Sequence, residues 1–414
     1  MNLLKTSGLT FIATVIQLFV GLVINKAISL FVGPSGLAVI GQFQNISQLA
    51  MVVSQGAINK GVVKYTAEYS KNEEDLTTLL STAIKITIVC SVIVGVALIL
   101  LSGYLSNEFL TDENFTFIFI IFGFTILFYS LNSLFLAILN GLKEVKQLIL
   151  INIVQSLYSL VFTTALIYFL GLKGALIALV TNQSIIFLYI IWKLRNHRVI
   201  NLGLLKGLYS SVIATKLSRF ALMAITSAIA IPVSHLVIRN YLVDNLGWEQ
   251  AGYWQAIWYI STMYLTVVTT TLGVYFLPKL SEITDKKALR GELLSGYKVI
   301  LPIVMLVSAA IYILKDFIVF ILFSDDFKPM IELFLWQLIG DVIKIAAWLL
   351  SYLMLAKAMT KRYMAVEVLF NVIFVGISIY MVNSYGLIGI TYAFAASYSI
   401  YFVTVFLLTK KEFI

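Results

Sequence analysis

The chain is poor in charge. Of its 414 residues only 12% are Asp, Glu, Lys or Arg, while 60% are apolar. A soluble domain of this length carries about 25% charge, so an ordinary water-solvated surface is excluded. Cysteine is nearly missing. The single residue, Cys90, lies in an apolar run, which rules out an intrachain disulfide and leaves packing as its expected role. There are two histidines, and no His/Cys cluster of metal type. Paired catalytic carboxylates, a Walker A or GxGxxG motif and a Ser-His-Asp set are also missing, so no enzyme, metal or cofactor chemistry is expected. Long loops are absent as well: none exceeds about 25 residues, too little for an extramembrane domain. Gly33-Pro34-Ser35-Gly36 reads as a tight turn, not a phosphate loop, because no strand precedes it.

What the chain does have is hydrocarbon. Mean hydropathy is +0.97, and apolar runs of about 18 residues or more, long enough to cross a bilayer as helices, recur throughout. Strand alternation of the outer-membrane type is not seen. The pattern predicts twelve spans, at 7–32, 37–58, 82–104, 115–140, 147–170, 174–195, 220–243, 251–275, 298–322, 330–356, 364–383 and 387–409. Lys315 and Asp316 interrupt the ninth. The first run is too long for a signal-peptide core and has no convincing small-residue cleavage site, so it is expected to stay as the first span.

The net charge of +9 first suggests a nucleic-acid partner. Its distribution points elsewhere. With the N-terminus cytoplasmic, 23 of the 29 basic residues fall in cytoplasmic segments, as the positive-inside rule requires. The outer side keeps Lys173, Lys315 and Lys328. The expectation is both termini inside, no nucleic-acid partner, and the lipid bilayer as surroundings. Residues 196–219 read as a basic cytoplasmic linker between an N-terminal six-helix lobe, 1–195, and a C-terminal one, 220–414. His197, in the linker, is expected to be solvated.

Three cations sit inside spans: Lys26, beside Asn25 in the first; Arg239 in the seventh; and Lys344 in the tenth. Each costs about 2.5–3.5 kcal/mol at a helix centre. Lys26 and Arg239 are 213 residues apart, and so are Gln42 and Gln255, a weak internal repeat that would relate the lobes by an axis along the membrane normal. Two polar stripes accompany the cations. Gln42, Asn45, Gln48, Gln55 and Asn59 share about 140° of the second span, and Gln255, Trp258, Tyr259, Thr262, Thr266, Thr269 and Thr270 share about 120° of the eighth.

One account joins these features. The cations bind a phosphate or diphosphate. The amides, hydroxyls and aromatic faces of Asn25, Gln42, Asn45, Gln55, Trp254, Gln255, Trp258 and Thr262 line a cavity suited to a sugar. Structural alternatives stand beside it: Lys26 snorkelling to the interface, an Asp341–Lys344 pair, and stripes that only join helices. Candidates for ion coupling are Asp341, Glu367 and His235, which follows Pro232. Pairing of Glu367 with Arg362 or Lys361, and a packed role for His235, are the competing expectations.

Several stretches carry a family resemblance. These are Gly33-Pro34-Ser35-Gly36-Leu37, the run Gly61 to Tyr69, the run Trp254-Gln255 to Tyr264, Tyr275-Phe276-Leu277-Pro278, and Trp336-Gln337-Leu338-Ile339-Gly340-Asp341-Val342-Ile343-Lys344. Across essentially the whole chain the sequence resembles the Wzx-type lipid-linked oligosaccharide flippases, which serve O-antigen and enterobacterial common antigen (lipid III). They form the polysaccharide-transport branch of the multidrug/oligosaccharidyl-lipid/polysaccharide exporter superfamily. The resemblance implies an all-α polytopic protein of twelve transmembrane helices, in two six-helix bundles forming a MATE-like V around a central cavity. It implies flipping of an undecaprenyl-diphosphate-linked oligosaccharide across the bacterial inner membrane by alternating access, in lipopolysaccharide or common-antigen biosynthesis, with a polysaccharide polymerase and chain-length regulator as partners. Lys26, Arg239 and the Asp341/Lys344 pair match charged positions of the family's pattern, whereas His235 and the Lys60 charge beside Gly61 depart from it. The alternatives are a multidrug exporter of the same superfamily, which would need more cavity carboxylates, and a membrane glycan polymerase, which would need a larger outer loop.

Overall fold

In hydrocarbon every backbone N–H and C=O must be satisfied within the segment, so apolar runs of this length become helices. The computed structural model describes residues 3–195, 197, 207–283, 285–357 and 359–413, and all regular structure among them is helical. Nine described helices are long and apolar enough to cross a bilayer. The chain is a multi-pass membrane protein. A helix lies at each of the twelve expected spans. The count covers the described residues; two spans run on as one long bent helix, and α9 carries more polar residues.

By contact the chain forms two units, Met1–Val32 with Gln42–Pro232, and Gly33–Gly41 with Val233–Ile414. The first holds α1 (Leu3–Phe31), most of α2 (Gly33–Ser54), α3 (Asn59–Tyr69), α4 (Glu73–Leu100), α5 (Ser102–Leu110), α6 (Thr116–Gly141), α7 (Val145–Leu194) and the start of α8 (Ser211–Leu246). Gly33, at φ +74°, and Pro34 in the first turn of α2 confine the α1–α2 turn to a few residues. Close helix crossings rest on missing side chains. A Cβ on Gly95 would lie 2.6 Å from the Gly123 carbonyl, and one on Gly123 would lie 2.7 Å from the Gly95 carbonyl, so α4 and α6 meet backbone to backbone.

The described linker residues are pinned to this unit. Lys85 Nζ donates to the Gly207 carbonyl at 2.8 Å, the Ser210 amide donates to Thr82 Oγ1 at 3.1 Å, and Lys216 Nζ donates to the Tyr69 hydroxyl at 2.9 Å. Arg198 and Lys206 lie outside the described residues. His197 is not simply solvated. Its Nε2 lies 2.9 Å from Glu144 Oε1, because α7 bends back on itself and returns residue 197 to the end where the helix began.

The second unit holds the rest of α8, α9 (Trp248–Thr271), α10 (Leu277–Glu282), α11 (Lys286–Ile313), α12 (Lys315–Leu322), α13 (Phe334–Ala356), α14 (Thr360–Tyr385) and α15 (Ile388–Phe413). Helix α9 passes into α10 through a π-helical turn, Leu272–Phe276. The expected ninth span is broken one residue before Lys315, at Leu314, between α11 and α12.

The internal repeat is structural. Asn72 caps α4 and Asp285 caps α11 through their side chains, 213 residues apart. Leu101 (φ −96°, ψ 7°) and Leu314 (φ −93°, ψ 10°) interrupt the next helices at the same offset. Two residues of drift follow. Gly171 (φ 55°, ψ −129°) folds α7 into a hairpin, and Gly386 (φ 65°, ψ −149°) separates α14 from α15. Gly174 then packs its bare Cα on the Leu166 carbonyl, and Gly389 packs on that of Met381, eight residues back in each case.

Candidate functional site

In the second unit the buried residues Arg239, His235, Lys344 and Asp341 and the half-buried Glu367 lie in one neighbourhood. Two of them lie on α8. Arg239 is 1% exposed. Its Nη2 donates to Gln255 Oε1, and its guanidinium stands 5.2 Å from the ring centre of Trp254. Both partners come from the second turn of α9. The approach is possible because Gly41 lies opposite: a Cβ there would overlap Gln255 Oε1 and come within 3.0 Å of Arg239 Nη2. Pro34 likewise packs its carbonyl on Gly252. One turn before Arg239, His235 sets its ring against Trp254 at 5.3 Å and edge-on to Trp258 at 4.3 Å. It is packed, as one of the two expectations had it.

Lys344 is the next of them. Its ammonium lies among four rings, Trp348 at 4.9 Å, Trp258 at 5.2 Å, Tyr398 at 5.6 Å and Phe394 at 5.9 Å. A desolvated ammonium over aromatic faces gains about 2 kcal/mol per favourable ring. Gly340 makes room for one of them, since a Cβ there would overlap the Phe394 ring. No ion pair of 4.0 Å or less joins Lys344 to Asp341 among the described residues, although Asp341 and Glu367 both act on the ammonium electrostatically.

Asp341 is 0% exposed. Tyr264 donates its hydroxyl to Oδ2 at 3.0 Å, and Gln337 and Ser261, joined to each other at 3.1 Å, stand beside the carboxylate. Glu367 does not pair with Arg362 or Lys361. Its Oε1 accepts from the Tyr401 hydroxyl at 2.6 Å, because it faces α15, whereas Lys361 and Arg362, about a turn and a half earlier on α14, are exposed. Trp254 is 2% exposed, enclosed by protein that includes Arg239, His235 and Trp258. Thr262 is exposed, and the hydroxyls of Thr266, Thr269 and Thr270 turn back to carbonyls of their own helix.

The first unit holds the other expected residues. Asn25 is buried and Lys26 half-buried on α1. Gln42 and Asn45 are buried on α2, with Asn45 Nδ2 lacking a hydrogen-bond partner among the described residues, whereas Gln48 is exposed. At the far end of the stripe, Asn59 donates to Gln55 Oε1 and to Ser133 Oγ of α6, both at 2.8 Å. That end of the stripe joins helices.

Sequence reasoning did not single out Gly41, Trp348, Phe394, Tyr398, Tyr401, Ser261 or Gln337 as site residues. Part of the signal was present. Trp348 is one turn after Lys344, Gln337 one turn before Asp341, and Phe394, Tyr398 and Tyr401 fall on one face of α15.

The polysaccharide biosynthesis protein family matches residues 3–284. The lipid III flippases of Escherichia coli (strain K12) and Shigella flexneri are each 28% identical over 415 residues, covering 100% of this chain and of the relative. Among solved structures, the inward-facing conformation of a multidrug resistance MATE family transporter of the MOP superfamily superposes with a TM-score of 0.82 at 15% identity, covering 96% of this chain and 94% of its own. An outward-facing conformation of such a transporter gives 0.71 at 15% identity, over 99% and 95%. These likenesses establish a MATE-like fold.

Proposed function

The chain belongs to the polysaccharide biosynthesis protein family, and we propose that it is a flippase for an undecaprenyl-diphosphate-linked oligosaccharide, an O-antigen repeat unit or enterobacterial common antigen lipid III. The observation that carries the reading is the end-to-end match to lipid III flippases. Buried cations support it, because a diphosphate must leave water during the crossing and needs partners inside the membrane.

Lys26 and Arg239 hold the diphosphate in this reading. The Arg239 fork is already aligned by Gln255 and Trp254, which suits a phosphate better than a mobile ammonium does. Lys344, enclosed by four rings, serves the site from behind. Asn25, Gln42, Asn45, Gln255, Trp258 and Thr262 offer hydroxyl-binding groups to the sugar. The lobes 1–195 and 220–414, joined by the linker 196–219, rock in alternating access. The chain sits in the bacterial inner membrane with both termini cytoplasmic, hands its product to a periplasmic polymerase with its chain-length regulator, and needs no cofactor.

The test is a deletion strain carrying Lys26→Ala or Arg239→Ala. The expected result is loss of surface glycan with accumulation of the lipid-linked precursor, at normal protein levels. Normal glycan in both variants would overturn the anion site, and a deletion strain with unchanged lipid-linked intermediates would overturn the flippase. The glycan whose precursor accumulates identifies the substrate.

A further inference from the structure

One helix face that the first unit covers is open in the second. On α4 the cover comes from the chain itself. The Ser210 amide reaches Thr82 Oγ1, Lys85 reaches the Gly207 carbonyl, and Ile213 and Leu217 at the start of α8 pack into one core with Leu79, Leu80 and Ala83. Helix α11 repeats α4 at the offset of 213, so Ser81, Thr82 and Lys85 fall on Leu294, Ser295 and Lys298. Ser81 is 0% exposed and Leu294 is 48% exposed. Ser295 and Lys298 are exposed as well. Among the described residues no segment lies over this face of α11. Beside it is a cavity of about 270 Å³, between Arg290, Leu294 and Tyr297 of α11, Leu350 of α13, and Phe402 and Phe406 of α15. Its walls are fixed by the protein. The Tyr297 hydroxyl donates to the Ala346 carbonyl at 2.6 Å, and the Phe406 ring meets that of Phe413 at 6.2 Å.

The two helix starts also carry opposite charge. Helix α4 begins Glu73-Glu74-Asp75, the sign that a helix N-terminus favours. At the same offset α11 has Lys286, Lys287 and Ala288, with Arg290 in place of Thr77. Two cations in a first turn oppose the helix dipole, so helix formation does not call for them. Lys298, and Lys410 and Lys411 at the end of α15, add to the positive charge. Asp285, which caps α11, Glu292 and Glu412 oppose it only in part. Among the described residues no ion pair of 4.0 Å or less involves Arg290. The groove is therefore apolar inside and positive at its mouth. It lies where α11 enters its bilayer-crossing run, and its rim residues Leu294 and Phe406 are exposed. An opening toward the bilayer at that level meets acyl chains below and phosphates above.

We propose that this groove binds one anionic phospholipid. Its phosphate sits on Arg290, with Lys286, Lys287 and Lys298 around it, and an acyl chain lies against Leu294, Tyr297, Phe402 and Phe406. The lipid takes on α11 the place that the linker takes on α4. The reversed charge of the helix start selects an anionic head over a zwitterionic one. That the leaflet is the cytoplasmic one rests on the orientation proposed above; binding depends neither on that nor on the flippase reading.

Native mass spectrometry of the full-length protein in detergent, titrated with phosphatidylglycerol or with phosphatidylcholine of the same chains, tests the site without any transport. Wild type is expected to retain one phosphatidylglycerol in preference to phosphatidylcholine. Arg290→Gln should weaken that binding about fivefold, the worth of one basic residue at an anionic surface. Leu294→Trp keeps the charge and fills the groove, so it should abolish retention. Should that variant not fold, Phe406→Ala, which strips the opposite wall, replaces it and should lower retention. Lys328→Gln, in an exposed turn away from the groove, should change nothing. Equal retention of the two lipids overturns the proposal. So does an Arg290→Gln that matches Lys328→Gln, or full retention after the groove is filled, which would leave charge attraction alone. Displacement of the phospholipid by an equal concentration of undecaprenyl diphosphate would give the groove to the transported lipid instead. In native membranes, a photoreactive residue at position 294 should capture phospholipid. A protein adduct in its place would assign the groove to a protein partner and overturn the lipid.

Discussion

Arg239 of α8 and Gln255 of α9 meet directly across the bare backbone of Gly41. The contact brings together three residues that lie far apart in sequence. Gly41→Ala should push Gln255 off the guanidinium and destabilise the protein by about 1–3 kcal/mol, as overpacking does. Thermal unfolding in detergent, with surface glycan in a complemented deletion strain, checks both effects. Gly103→Ala is the control. Nothing lies within 4 Å of its added Cβ, so stability should stay level or rise by about 0.5–1 kcal/mol.

Arg239 should not tolerate lysine. The Gln255 bond and the Trp254 face both use the planar fork, and an ammonium cannot reproduce it. Surface glycan should fall in the order wild type, Arg239→Lys, Arg239→Ala. Equal glycan in wild type and Arg239→Lys would show that charge alone matters.

The two hairpin glycines should behave alike. Gly171 and Gly386 occupy backbone that side chains rarely adopt, at φ 55° and 65°. Alanine at either should cost about 1–3 kcal/mol. Gly174→Ala and Gly389→Ala should each lower the unfolding temperature too, because the added carbon meets a carbonyl. A large effect in one half with none in the other would contradict the repeat.

Tyr264→Phe removes the hydroxyl that reaches Asp341 Oδ2. An enclosed carboxylate that loses a donor costs about 1–3 kcal/mol, so the variant should unfold earlier. Tyr264 also meets Ser308 Oγ at 3.2 Å, and Ser308→Ala should have the smaller effect, because it leaves the carboxylate's bond intact.

Asn59→Ala breaks the link from α2–α3 to Ser133 of α6. Interhelical bonds in membranes average about 0.6 kcal/mol. A small stability loss with normal glycan is expected, since this end of the stripe joins helices. Loss of transport at unchanged stability would return Gln55 and Asn59 to the substrate path.

The amino-acid sequence by itself determined the spans, the buried cations and the family. Each is a one-dimensional property. Hydrocarbon admits only long apolar helices, a charge inside one stands out, and family motifs are short. It also held the repeat, through Lys26/Arg239 and Gln42/Gln255, although the caps Asn72/Asp285 and the hairpin glycines were needed to see it as structure. Tertiary structure decided the environment of each charge. The rings around Lys344 come from α9, α13 and α15, Glu367 turned to Tyr401 and not to Arg362, and His197 returned to Glu144. No local periodicity reports which helices face one another. That depends on side-chain volumes meeting across long separations, and on small residues such as Gly41 and Gly340 that give larger neighbours their room.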